Sequence, residues 1–479
     1  MKVLAVDFGA TNAKIFEVEL GERLLVREVK RFRTGAVFLP ASERIHAFWD
    51  LPRFYQEVVE VLEEVREVRA IGIDSWGVDF ALLDPRGRLL SLPYHYRDER
   101  TKGVMAKALD RVPRERIYER TGIQFMEINT LYQLYSMVLG DDELLNLAET
   151  FLMVPDVFNY WLTGVKVCEY TDATTTQCYS VPEGNWAFDI LEELGIPTKI
   201  FPEVVKPGTV LGKCRLNKGI EVIATTSHDT ASAVVAVPFE EEAVYVSSGT
   251  WFLIGVELET PLIKRECLEK NFTNEGGYGK IRFLKNATGM WLLEECNKVW
   301  RMDYETILKE AESARGFVAY VDPDHPDFLY PGNMPEKIFT FLKRTSQPLP
   351  ETRGEAVRSI LEGIAFNCAW VVEQVEELTG KAYGKVHVVG GATRNDLLMQ
   401  FIANATGKVV VAGPQDATPI GNALVQLMAL GEIEDLREAR RIVRESFELR
   451  VYEPKDEETW KFHYERWRKI KEGKACGTL

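Results

Sequence analysis

No CxxC pair occurs in this 479-residue chain. Its seven cysteines (Cys168, Cys178, Cys214, Cys267, Cys296, Cys368 and Cys476) are odd in number and scattered. That spacing argues against a disulfide framework and against structural zinc, and suits free thiols in a reducing compartment. Positive charge is scarce too: 58 Lys and Arg stand against 73 Asp and Glu, a net charge of −15. Such a surface opposes non-specific binding to nucleic acid, which relies on cations neutralising phosphates. No stretch approaches the roughly 18 consecutive apolar residues of a membrane span. The opening MKVLAVDFGATNAK has no signal-peptide pattern, because Asp7 interrupts its apolar run, so a cytoplasmic location is expected. Several catalytic signatures are missing. Gly208 to Lys213 falls one residue short of a Walker A loop, and Cys214 stands where its hydroxyl belongs. Neither HExxH nor GxSxG occurs. His46, His95, His325, His387 and His463 show no metal-ligand spacing.

What is present is ordinary for a globular enzyme, with 46% apolar and 27% charged residues. The length allows two to four domains. Val3–Val6 is a continuous apolar run, the mark of a strand buried on both faces. It stops at Asp7, turns through Gly9 and resumes over Lys14–Val18. Leu51–Ala70 has helical spacing, with Phe54, Val58, Leu62 and Val65 on one stripe. The segment IGIDSWGVDFALLD (71–84) reads as a strand with a glycine-bearing end. The second half repeats the opening, since Val244–Val246 runs into Ser247-Ser248-Gly249-Thr250 and resumes at Trp251. Aligning Asp7 with Ser247 places Gly9 on Gly249, which predicts two similar lobes. Their expected boundary lies near Val237–Glu242, dividing the chain into 1–238, 239–450 and a helical tail, 451–479. A long amphipathic helix is predicted over 355–379, capped by Gly380. The strand 386–389 then leads through Gly390-Gly391 into a helix from about Asn395. Thr418-Pro419 reads as an N-cap and first-turn proline. Strands alternating with helices predict an α/β fold.

Three motifs carry chemistry. The turn D-F-G-A-T-N-A-K (7–14) suits phosphate: Gly9 admits backbone conformations closed to other residues, and successive N–H groups can converge on an anion. Lys14 would add a positive charge, and Asp7 would hold Mg²⁺ through water; the alternative is a plain hairpin. Gly390-Gly391-Ala392 offers bare backbone at a strand end to a nucleotide, or is simply a turn. Ser227-His228-Asp229-Thr230 follows the strand Val222–Ala224. Its aspartate would take a hydroxyl proton, or cap the next helix.

Together these segments resemble the FGGY carbohydrate kinases, of the actin/hexokinase/Hsp70 superfamily. The likeness runs nearly end to end, through IGIDSWGVDFALLD, YRDERT (96–101), GIQF (122–125), NTLYQL (129–134), EYTDATTTQ (169–177), SHDTASAV (227–234), SSGTW (247–251) and FTNEGG (272–277). These passages match the branch that phosphorylates L-rhamnulose. The resemblance implies two RNase H-like lobes with ATP and sugar in the cleft between them. It implies Asp229 as proton acceptor, flanked at the sugar by His228 and Thr230, with Gly77, Asn286 and the Trp76 wall. It also implies a first phosphate loop at Ala10, Thr11, Asn12, Ala13 and Lys14, a second at Thr250, and the adenosine site at Gly391. ATP, Mg²⁺ at Asp7, and a monomer or homodimer are expected. L-Fuculose, L-xylulose and a non-catalytic nucleotide-dependent sugar sensor are the rival readings. Two positions depart from the family pattern. Lys14 replaces an arginine and loses its two-pronged geometry, and Glu294 stands where a nucleotide-contacting glutamine is expected.

Overall fold

The computed structural model describes residues 1–41 and 44–473, so Cys476 and the end of the 451–479 tail lie outside the described residues. The chain forms two compact units: 1–236 with 257–283 and 417–446, and 237–256 with 284–416 and 447–479.

The first unit is built on six strands: β1 (Lys2–Phe8), β2 (Asn12–Leu20), β3 (Leu24–Arg33), β4 (Val68–Ser75), β5 (Thr209–Lys213) and β6 (Glu221–Ala224). Their order across the sheet is β5-β6-β4-β1-β2-β3. β1 pairs antiparallel with β2 and parallel with β4, and β4 pairs parallel with β6. Val3 to Val6 are fully buried, as a central strand covered on both faces requires.

The second unit uses β7 (Val244–Ser248), β8 (Trp251–Leu258), β9 (Lys385–Gly390), β10 (Val409–Ala412) and β11 (Arg450–Tyr452), side by side as β8-β7-β9-β10-β11. β7 pairs antiparallel with β8 and parallel with β9, β9 pairs parallel with β10, and β10 pairs antiparallel with β11. This is the pairing pattern of the first unit, so the repeated hairpin in the sequence reflects a repeated sheet.

Local chemistry sets the helix ends. Arg353–Thr379 starts where the Thr352 side chain accepts from Glu355 N and stops at Gly380, whose φ is +69°. Leu51–Glu64 is shorter than its apolar stripe predicts: Val65 is already extended, Glu67 turns through φ 59°, and β4 follows. The helix Ala417–Ala429 begins before Thr418, which lies inside it and is not its cap. Six described cysteines are buried and free. Among the described residues no helix is long and apolar enough to cross a membrane.

Candidate active site

In the first unit β4 and the segment after β6 end side by side. Ser75 N donates to Ser227 O (2.9 Å), and Ser75 bridges in parallel to His228. A buried carboxylate fixes this edge. Glu169 Oε2 accepts from Ser227 N (3.0 Å), Thr171 N (2.9 Å) and Thr171 Oγ1 (2.5 Å), and Thr171 Oγ1 also receives His228 N (3.1 Å). Burial pushes Glu169 up to about 7. The backbone that presents His228 is therefore held through Glu169 and Thr171 by a chain of buried hydrogen bonds.

Asp229 opens the helix Asp229–Val235. It does not cap that helix: His228 holds the cap position, and no side-chain cap bond forms. Instead Asp229 Oδ1 accepts from Thr230 Oγ1 at 3.1 Å, with His228 Nε2 at 3.4 Å. The Asp229 side chain is 30% exposed, enough to meet a substrate. An ordinary aspartate titrates near 3.9. Here burial raises it to about 6, against the pull of the Thr230 hydrogen bonds and the Arg282 charge. The carboxylate thus remains the main form at neutral pH while being a stronger base than a solvated one. For an Asp229 that accepts a substrate proton the sign of the pH dependence follows, because protonation would fill that acceptor. Log kcat/KM for the sugar is expected to fall with unit slope below about pH 6 and to level off above it; a flat profile from pH 5 to 8 would contradict this.

The Trp76-Gly77 segment lies just beyond Ser75. Trp76 is buried, stacked on Trp49 at 3.9 Å between ring centroids, and His95 stacks on Trp49 at 4.1 Å. Asp79 gathers this wall, its Oδ2 accepting from Trp49 Nε1 (2.5 Å), Trp76 Nε1 (3.0 Å) and Tyr96 N (3.1 Å). At Gly77 a Cβ would sit 2.8 Å from the Thr175 side chain. The next residue, Val78, is β-branched yet adopts φ 67°, held by its N–H to Thr175 Oγ1 (3.0 Å) and its carbonyl to Thr130 Oγ1 (2.6 Å). Strain of this kind persists only where surrounding bonds over-determine it, and it gathers at functional loops.

The Asp7–Lys14 hairpin is tighter than the sequence suggests. Asp7 lies inside β1, facing Lys14 on β2 and Asp74 on β4, while Asn12, Ala13 and Lys14 belong to β2. Ala10 and Thr11 are thus the turn itself. Gly9 does not use left-handed backbone, contrary to expectation. It is required because a Cβ would meet the Asn12 carbonyl at 2.7 Å. Asp74 is buried, its Oδ1 lacks a hydrogen-bond partner, and its carboxyl is pushed well up by burial and then by the charges of Asp7 and Asp229.

In the second unit the ends of β7 and β9 coincide, with Ser248 opposite Gly390. Gly390, at φ 96°, would place a Cβ 2.5 Å from Ser248 O, whereas nothing lies within 4 Å of a Cβ on Gly391. The close packing belongs to Gly390 and the open backbone to Gly391. At the neighbouring turn, Thr250 Oγ1 donates to Glu294 Oε2 (3.1 Å). Two residues singled out separately thus meet, and Glu294 serves there as an acceptor. Asn286 is half-buried on the strand Ile281–Thr288, also in the second unit.

Groups that escaped the sequence reading include Asp74, Asp79, Glu169, Glu275 and Arg282. Asp79 and Glu275 lie inside motifs that carried the resemblance. Arg282 announces itself only as one cation in the apolar strand I-R-F-L.

The chain matches the N-terminal domain of the FGGY family of carbohydrate kinases over residues 2–236 and its C-terminal domain over 244–430. It belongs to that family. FGGY kinases are phosphotransferases acting on a sugar hydroxyl, which suits the part-exposed Asp229 carboxylate of the first unit. Among curated relatives, the rhamnulokinase of Oceanobacillus iheyensis is 39% identical over 463 residues, covering 94% of this chain and 97% of its own. The Bacillus subtilis rhamnulokinase is 38% identical, covering 94% and 95%. Solved FGGY-like folds include a ligand-bound xylulose kinase from Lactobacillus acidophilus, with TM-score 0.80, 17% identity and 98% of both chains covered. A Plasmodium falciparum glycerol kinase with ADP gives TM-score 0.78 at 16% identity, covering 100% of this chain and 99% of its own. At these identities the structural likeness speaks to the fold alone.

Proposed function

We propose that the protein transfers the γ-phosphoryl group of ATP to the C1 hydroxyl of L-rhamnulose, giving L-rhamnulose 1-phosphate and ADP. The observation that carries the reading is Asp229, a part-exposed carboxylate at about 6 held against His228 and Thr230. The seven curated relatives at 37–39% identity, all named rhamnulokinase, favour L-rhamnulose over other ketoses. In this reading residues 1–238 hold the sugar, at Trp76, Gly77, His228 and Thr230, and the first phosphate loop, Ala10–Lys14. Residues 239–450 hold the nucleotide at Thr250, Glu294 and Gly391, with Asn286 a further substrate-binding candidate, and the tail from 451 carries the helix Glu457–Lys471. The protein works in the cytoplasm as a monomer or homodimer.

Phosphoryl transfer needs alignment and charge neutralisation more than covalent help. Asp229 takes the C1 proton as the new P–O bond forms, and Thr230 keeps its carboxylate aimed. Mg²⁺ fits the first unit on its donor chemistry. No group of three or more His, Cys, Asp or Glu among the described residues forms a protein cage. Mg²⁺ needs none, binding through one or two carboxylates together with substrate phosphates and water. Asp7 supplies a hard oxygen, and beside it the buried Asp74 carboxyl, pushed up by burial and then by the Asp7 charge, has an Oδ1 without a hydrogen-bond partner. Held there by Asp7, the ion would neutralise charge on the nucleotide's phosphate oxygens.

A panel of ketoses and polyols with ATP, read as ADP release, tests the substrate. L-Rhamnulose is expected to show the highest kcat/KM, by at least about tenfold. A higher value for L-fuculose or L-xylulose would reassign the sugar. ATP binding with no sugar-dependent ADP release would make the chain a sensor.

A further inference from the structure

Behind Asp229 lies an arginine with no place in the reaction just described. Arg282 is fully buried. Its Nε donates to Gly276 O at 2.7 Å. Its Nη2 stands between two groups, 2.9 Å from His228 Nδ1 and 3.1 Å from Glu275 Oε2. His228 and Glu275 are themselves buried, and His228 Nδ1 lies 3.5 Å from the same Glu275 oxygen.

A guanidinium has donors only and keeps its protons. Facing Nη2, His228 Nδ1 can therefore only accept, and the neutral ring must carry its hydrogen on Nε2. That nitrogen is the one 3.4 Å from Asp229 Oδ1. The distance exceeds a normal N–H···O bond, so the Nε2 hydrogen lies near Asp229 without being bonded to it. Without Arg282 the preference would reverse. Glu275 would become the nearest partner of Nδ1 and draw the hydrogen there, leaving a lone pair on Nε2 opposite the Asp229 carboxylate. Which imidazole nitrogen is protonated is decided by what its other nitrogen meets.

We propose that Arg282 is a positioning residue that locks His228 as the neutral Nε2–H tautomer and so keeps a donor, not a lone pair, toward Asp229 and the sugar hydroxyl. The buried Arg282 charge also holds His228 well below its usual value, after burial itself, and thereby keeps it neutral. The inference deepens the kinase reading and rests on it for its catalytic consequence, but the tautomer can be measured without turnover.

The experiment uses the full chain with ¹⁵N-labelled histidine, the His228 signals being assigned by their loss in His228→Asn. Wild type is expected to show protonated Nε2 and bare Nδ1 between pH 6 and 8. Protonated Nδ1, or an imidazolium, would overturn the proposal even if the enzyme phosphorylates sugar as expected. In Arg282→Met, the hydrogen is expected to move to Nδ1, and kcat to drop about tenfold or more with KM for ATP unchanged. Adding Glu275→Met removes the competing acceptor and is expected to recover part of kcat. A merely structural arginine would give a double variant no better than the single one, which would sink the proposal. If Asp229→Asn retains activity while the tautomer is as stated, the base assignment fails and the lock survives.

Discussion

Asp229→Asn is expected to lower kcat by at least about 10²-fold, the low end for removing a general base. The amide is nearly isosteric, and its oxygen can still accept from Thr230 Oγ1 and face His228 Nε2. What it lacks is a basic site for the departing proton. Loss of fold would not mimic this result. Burial raises the Asp229 carboxyl from 3.8 to about 6. Between those values the unfolded chain ionises while the folded group stays mostly protonated, and above about 6 the folded state holds an anion it disfavours, so this group costs stability at neutral pH. Replacing it with a neutral amide removes that cost, and the variant is expected to melt at or slightly above wild type, as substitutions at functional carboxylates often do. A drop in kcat with a maintained Tm is the paired signature. Wild-type turnover by purified Asp229→Asn would remove Asp229 as the base.

Much of the fold was legible because its signals are local. Val3–Val6 has four apolar residues in a row, and the helix 353–379 carries both its cap residues in sequence. The Gly9 and Gly249 turns repeat at corresponding points of two hairpins. The reading failed where tertiary structure overrules local pattern. The stripe Phe54, Val58, Leu62, Val65 keeps helical spacing past the point at which the chain must enter β4, so the sequence overshoots the helix by six residues, 65–70 against an end at Glu64. At Gly9 the sequence pointed to backbone freedom, but the need is steric, set by a carbonyl across the turn. The candidate base was legible as a motif, whereas its environment was not. The Arg282–His228 contact joins residues 54 positions apart, and no spacing rule links an arginine on one strand to a histidine at the mouth of another. The raised pKa of Asp229 has the same origin, since burial is a property of the assembled unit.

The largest stability effect is expected at Gly421, a residue the sequence marks only as part of a helix opened by Pro419. The helix Ala417–Ala429 packs on Asp229–Val235 so closely that a Cβ on Gly421 would lie 1.7 Å from Ser232 O and 2.6 Å from Ser232 C. Both atoms are helix backbone, so no flexible side chain can swing away. The contact is anchored on each side. Asn422 Nδ2 donates to Asp74 Oδ2 (2.5 Å) and Gln426 Nε2 to Leu4 O (2.8 Å), while Ser232 Oγ donates to Thr226 O (2.7 Å). Gly421→Ala must push two fixed helices apart, and overpacking a tight core costs roughly 1–3 kcal/mol; a backbone obstacle places this site at the top of that range. The shift is about 2–4 °C per kcal/mol for 150–250 residues and smaller for a larger unit such as this, so Tm is expected to fall by roughly 6 °C. Gly384→Ala is the matched control, because nothing lies within 4 Å of its Cβ and its backbone is ordinary; its Tm is expected to stay within about a degree. The displaced helix begins at Asp229, so kcat of Gly421→Ala measured well below its Tm is expected to fall with stability, linking a glycine remote in sequence to the placement of Asp229. A Gly421→Ala protein that melts and turns over like wild type would show that the two helices do not meet at this distance.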